Sequence, residues 1–142
     1  MRAYADTSFL FSLYLEDTNS AAADELNRKL QPSYLFIPLH ELELNNAIEL
    51  AVFRREITAA QASAARAGFE QDLLHWALSP LPPGVFSNAV TLARRYTARY
   101  GTRSIDILHV ATARALGAEA FLTFDRRQLR LARAAGLRVR PL

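Results

Sequence analysis

Four short strand-like runs, separated by stretches with helical spacing, constrain this chain more than any other feature. Residues 2–5 (RAYA), 34–38 (YLFIP), 119–124 (EAFLTF) and the terminal LRVR read as strands. Pro38 closes the second run, which the pattern makes a central strand. Between the runs, apolar residues recur at i, i+3, i+4 and i+7, as at Leu44, Ala47, Ile48 and Ala51. A helix is expected over Phe9, Leu10, Leu13 and Tyr14 with Thr7 or Ser8 as cap, and others over 20–30 and about 39–55. Thr58 and Gln61 make a capping-box pattern that opens a helix to about Leu78. Further helices are expected over 85–100, ending at Gly101, over 104–115 with Ser104 as cap, and over 127–134. Strands alternating with helices predict a single α/β domain over 1–142, with a mostly parallel sheet flanked by helices. Such sheets bind ligands at the carboxyl ends of their strands, where Asp6 and Asp125 both fall.

The chain has 142 residues, 51% of them hydrophobic, enough for one real core. No run of apolar residues is long enough to span a bilayer, so no membrane association is expected. Asp6 interrupts the N-terminus before a signal-peptide apolar region develops, so the expected location is cytoplasmic. Cysteine is absent, which removes disulfides and thiolate metal sites. The net charge of +3 conceals an asymmetry: residues 1–93 hold six basic and eleven acidic side chains, residues 94–142 eleven arginines and three acids. Arginine grips phosphate oxygens in a bidentate fork, so this half suits a phosphate-bearing partner. Lys29 is the only lysine, however, and a genome biased to arginine codons would give the same composition.

Mg²⁺ and Mn²⁺ take hard oxygen ligands, and a phosphodiester hydrolase needs several carboxylates converging from separate parts of the fold. Asp6 and Asp125 each follow a strand and precede a helix, so helix capping and metal binding are both open to them. Glu43 lies in the first turns of the helix after the second strand; spacing alone makes it an exposed helix acid. Glu41 would sit on a different face. Asp106 stands in SIDILHVATARAL, among apolar neighbours, where a buried carboxylate would need a partner. The rival reading puts it in the first turn of a helix, favoured by the dipole.

The segments YADTSFL, HELELNNAIEL, SIDILHVATARALGAEAFLTFD and LRVR together resemble the PIN-domain family, particularly the VapC-type toxins of toxin–antitoxin pairs. The resemblance runs over nearly the whole chain and is most specific from Ser104 to Asp125. It implies an acidic quartet at Asp6, Glu43, Asp106 and Asp125 that binds Mg²⁺ or Mn²⁺ and cleaves RNA; the ELNNA pattern selects Glu43 over Glu41. It also implies a VapB-like antitoxin and homodimerisation, for which the helices at 20–30 and 58–78 are candidates. Ser8 and Thr123 match hydroxyl positions near the family's metal site, and Asn46 lies one turn beyond Glu43. His109, three residues after Asp106, reads as a core residue or a support for the ligands. His40 and His75 read as structural, and Phe69 and Trp76 as core or dimer contacts. Arg103, Arg126, Arg127 and Arg130 flank the third and fourth acids, as phosphate contacts or as plain solvated helix faces.

Two other enzymes or modules fit less well. A haloacid-dehalogenase-like phosphatase would want an aspartate two residues after Asp6, where Ser8 stands, and a receiver domain would want paired acids at the first strand and a late lysine. A non-catalytic PIN-like module that binds RNA or protein remains the alternative, although RNA binding alone does not call for an acid cluster.

Overall fold

The computed structural model describes residues 1–141. Among these, four strands and seven helices follow in the order β1 (Arg2–Ala5), α1 (Thr7–Tyr14), α2 (Ser20–Leu30), β2 (Ser33–Tyr34), α3 (Pro38–Phe53), α4 (Ala59–Trp76), α5 (Val85–Tyr100), α6 (Ser104–Ala115), β3 (Ala120–Leu122), α7 (Arg126–Ala134) and β4 (Val139–Arg140). All strand pairs are parallel, in the order β2-β1-β3-β4. The expected α/β domain with a parallel sheet is what forms.

The sheet is covered on both faces, as parallel sheets require. Side chains alternate along each strand, and the core divides accordingly. Ala3, Ala5, Ala120 and Leu122 point into one cluster with α1 to α4, built on Phe9, Leu44, Ile48 and Phe69. Tyr4, Phe121 and Val139 point into a second with α5 to α7, built on Leu92, Val110 and Leu131. Three layers result.

The apolar run at 34–38 departs from its expected form. The strand occupies only Ser33–Tyr34 and lies at the edge of the sheet, with a further bridge between Phe36 and Leu78. Pro38 starts α3 rather than ending a strand. Proline lacks an N–H that a helix's first turn does not use, so it suits that position. The two central strands are β1 and β3. Asp6, not Thr7 or Ser8, caps α1: its carboxylate accepts from the Phe9 N–H at 3.0 Å. Likewise α6 begins at Ser104 after Arg103, with Asp106 reaching back to the Arg103 N–H at 3.4 Å. Thr58 and Gln61 do form the reciprocal capping box of α4. At the sheet's carboxyl edge, the Asp6 N–H donates to the Leu122 carbonyl at 2.9 Å, placing the two strand ends side by side.

Candidate active site at the carboxyl edge of the sheet

Asp6, Glu43, Asp106 and Asp125 come from four separate segments and line one pocket of about 320 Å³. Each arrives on an element that starts at this edge. Asp6 ends β1 and Asp125 follows β3, each capping the helix after it. Glu43 lies in the second turn of α3 and Asp106 in the first turn of α6.

The four carboxylates have different surroundings. Asp6 is 1% exposed. One oxygen accepts from the Ser8 hydroxyl at 2.6 Å and from the Phe9 N–H. The other accepts from the Thr123 hydroxyl and from the Gln128 amide at 2.7 Å. Burial pushes this carboxyl up from its ordinary range, and the Ser8, Thr123 and Phe9 donors oppose that rise without cancelling it. Four donors thus converge on one buried carboxylate.

Glu43 has a side chain 26% exposed and accepts from the Thr7 hydroxyl at 2.8 Å and from His109 Nε2 on the same oxygen. Burial acts to raise its carboxyl, but His109, Thr7 and Arg103 outweigh burial and hold it below the usual value. His109 is buried, and its Nδ1 lies 2.7 Å from the Tyr4 hydroxyl. The ring thus bridges the Tyr4 hydroxyl on Nδ1 and the Glu43 carboxylate on Nε2. Burial, then the Glu43 and Asp6 carboxylates, raise the Tyr4 hydroxyl well above its ordinary value, so it stays a donor. A line of Tyr4, His109 and Glu43 therefore runs from the core to the pocket wall.

Asp106 is less enclosed than its apolar sequence neighbours suggest. Its side chain is 13% exposed and pairs with Arg103 Nε at 3.4 Å, while Ile105 is 40% exposed. Ile107 and Val110 beside it pack into the core, and the costly buried carboxylate is Asp6 instead. Asp125 accepts from the Arg127 and Gln128 N–H groups at 2.8 and 3.1 Å, and its own N–H donates to the Thr123 hydroxyl at 3.0 Å.

Of the supporting residues read from the sequence, Ser8, Asn46, His109 and Arg103 line the pocket, and Thr123 stands behind it against Asp6. Arg126, Arg127 and Arg130 are exposed on α7 and do not line it. His40 is structural: its Nδ1 accepts from the Ile37 N–H at 3.0 Å and its Nε2 lies 2.8 Å from the Ala5 carbonyl. Phe69 is core, with Trp76 packed against it. Three contributors went unread: Thr7, Tyr4 and Gln128. Gln128 stands three residues after Asp125, the partner position of a helix cap, and that spacing was the available signal. Thr7 adjoins Asp6, whereas nothing in a buried strand tyrosine announces a contact with His109.

The donor set is hard oxygen throughout, which fits Mg²⁺ or Mn²⁺ rather than a softer ion. Gln128 adds an oxygen in the wall, its Oε1, buried and without a hydrogen-bond partner among the described residues. Among the described residues no three His, Asp or Glu side chains are gathered closely enough to enclose an ion. The carboxylates share a pocket; they do not form a finished cage.

Among solved structures, the chain is similar to FitAcB from Neisseria gonorrhoeae, with a TM-score of 0.69 and 18% identity over 96% of this chain and 95% of that one. It is also similar to PAE2754 from Pyrobaculum aerophilum, with a TM-score of 0.63 and 18% identity over 98% of this chain and 83% of that one. At such identities the likeness is one of fold. No curated protein matches the sequence. The PIN-domain family model matches residues 3–134, which takes in all four carboxylates and every strand but β4. By that match the chain belongs to the PIN-domain family.

Proposed function

We propose that the chain is a divalent-metal-dependent endoribonuclease, the toxin of a VapBC-type toxin–antitoxin pair. PIN domains are generally nucleases. The observation that carries the reading is the convergence of Asp6, Glu43, Asp106 and Asp125 from four segments on one pocket. These four would hold Mg²⁺ or Mn²⁺, which supplies an activated water and a counter-charge for the phosphate. The chain's own work is positioning. Ser8, Thr123, Gln128 and the Phe9 N–H fix Asp6, while His109 and Thr7 fix Glu43. Arg103 at the rim offers a phosphate contact, which adds affinity without sequence specificity. Arg126, Arg127 and Arg130 are further phosphate contacts in this reading, along the outer face of α7.

RNA is the substrate in this proposal, a VapB-like antitoxin the partner and the cytoplasm the location. Among the described residues no helix is long and apolar enough to cross a membrane. A homodimer through α2 and α4 is part of the same proposal, and Leu74 of α4, 89% exposed, supports it. Purified protein given Mn²⁺ should cleave RNA, and Asp6→Asn should lower the rate by at least about a hundredfold with the fold intact by circular dichroism. Wild-type protein that leaves every RNA intact, or an Asn variant as fast as wild type, would refute the nuclease and favour a binding module.

A further inference from the structure

The arginine-rich half of the chain, from Arg94 onward, holds only Asp106, Glu119 and Asp125 as acids. All three are engaged elsewhere. Asp106 and Asp125 line the acidic pocket, and Glu119 accepts from the Arg2 N–H at 2.7 Å. Among the described residues Arg103 is the one arginine of this half in an ion pair. The positive charge here is therefore largely unneutralised within the chain.

Part of that charge is gathered in a second concavity. Arg95 of α5 and Arg114 of α6 line a groove of about 560 Å³ between α5, α6 and α7, and no acid lines it. Buried Leu92 and Ala111 form its floor, and the small side chains there leave room between the helices. Asn88 and Thr91 add neutral hydrogen-bonding groups. Arg95 lies 5.3 Å from the centre of the Tyr96 ring, and the Tyr96 hydroxyl donates to the Ala134 carbonyl at 3.1 Å. A ring tethered to α7 restricts the arginine stacked on it, so less conformational freedom is lost when that guanidinium takes a ligand.

We propose that this groove is a second nucleic-acid site, in which Arg95 and Arg114 each grip a phosphate of the RNA while Asn88 and Thr91 reach its sugars. Helix α6 joins the two sites. Asp106 lies in its first turn and Arg114 eight residues on, about 12 Å of helix rise. A few stacked nucleotides, at about 3.4 Å each, cover that distance. One strand can thus be cut at the acidic pocket and anchored in the groove. The choice of RNA over another polyanion rests on the nuclease reading above.

The test measures binding of a labelled RNA of about 20 nucleotides by fluorescence anisotropy. EDTA is present, so that binding is read whether or not the protein cleaves. Arg95→Ala/Arg114→Ala should weaken binding at least about tenfold and reduce the log–log salt slope by about 1.4, the share of two phosphates on a single strand. Arg95→Lys/Arg114→Lys should restore most of the salt slope, and thermal melting should be the same for all three proteins. Unchanged affinity and slope in the alanine variant overturn the groove. So does an equal loss of poly-glutamate binding with RNA binding intact, which would assign the groove to an acidic protein. Inorganic phosphate or a mononucleotide that binds as tightly as the RNA, and through the same arginines, overturns the RNA assignment in favour of a free ligand. Addition of Mn²⁺ keeps the two readings apart. Protein that binds RNA through these arginines but never cuts it refutes the nuclease alone, and protein that cuts with an unaltered slope in the variant refutes the groove alone.

Discussion

Asp6 concentrates the chemistry of the site in one buried side chain with four donors around it, two of them from residues more than a hundred positions away. Gln128 is the most testable of these donors, because its amide nitrogen serves Asp6 while its oxygen has no partner among the described residues. Gln128→Leu removes a donor from a buried carboxylate and should cost about 1–3 kcal/mol of stability, read by urea unfolding. It should also slow RNA cleavage about tenfold or more, since an Asp6 short of a donor is harder to keep ionised. Gln128→Glu should be worse for cleavage, because it sets a second carboxylate against the first. A glutamate variant as active as wild type would show that the contact is idle.

His40 makes a separate prediction about pH. Burial, helped by the neighbouring His109 and opposed by the Ala5 carbonyl, pulls its ring from an ordinary 6.5 down to about 3. Between those values only the unfolded chain takes the proton. The ring's contribution to stability is thus complete above about pH 6.5 and shrinks as pH falls towards 3. At about pH 5 the loss is about 2 kcal/mol. The stability gap between wild type and His40→Gln should narrow by that amount between about pH 7.5 and pH 5 in urea titrations. A gap that stays constant would mean that His40 is not held neutral.

At the scale of elements, Asp125 does two jobs that mutations can separate. It caps α7 through two backbone N–H groups and faces the acidic pocket. Asp125→Ala should lower stability by about 1 kcal/mol and abolish cleavage, whereas Asp125→Ser should retain the cap and the melting temperature yet still fail to cleave. A serine variant that cleaves normally would leave capping as the residue's only role. The same doubleness explains what the sequence could and could not disclose. Asp6 and Asp125 were legible because a strand end followed by a helix start is visible in a linear pattern. The layered α/β arrangement was legible because both sheet faces are buried, which makes the central strands β1 and β3 largely apolar. The edge position of β2 was not, since YLFIP is buried partly by packing outside the sheet and its proline turned out to open a helix. Asp106 was placed in a setting more apolar than its own, because sequence neighbours on a helix face different directions. Long-range donors such as Gln128 have no signature beyond local cap spacing.

The molecule as a whole rests on one small sheet with a core on each side. Phe69 belongs to one cluster and Phe121 to the other, and both are at most 1% exposed. Phe69→Ala and Phe121→Ala should each cost about 3–5 kcal/mol by leaving a cavity. Both should shift a single calorimetric transition, because the strands that separate the clusters are common to both. Two resolved transitions in either variant would mean that the layers melt independently and that the sheet does not couple them. The uneven charge of the chain is also a property at this scale: four acids line one pocket at the sheet edge, while eleven of the arginines lie from Arg94 onward.

The contact between β1 and β3 has a consequence for the order in which the protein becomes competent. Asp6 leaves the ribosome well before the groups that hold it, Thr123 and Gln128, which follow more than a hundred residues later. Helix α1 can form early, and its capping aspartate then waits without its partners while the residues between them are still being made. A nascent chain therefore carries no complete acidic pocket until Gln128 has emerged, and one interrupted before that never acquires it. Emergence of α7, rather than the first appearance of an aspartate, marks the moment at which the pocket is complete.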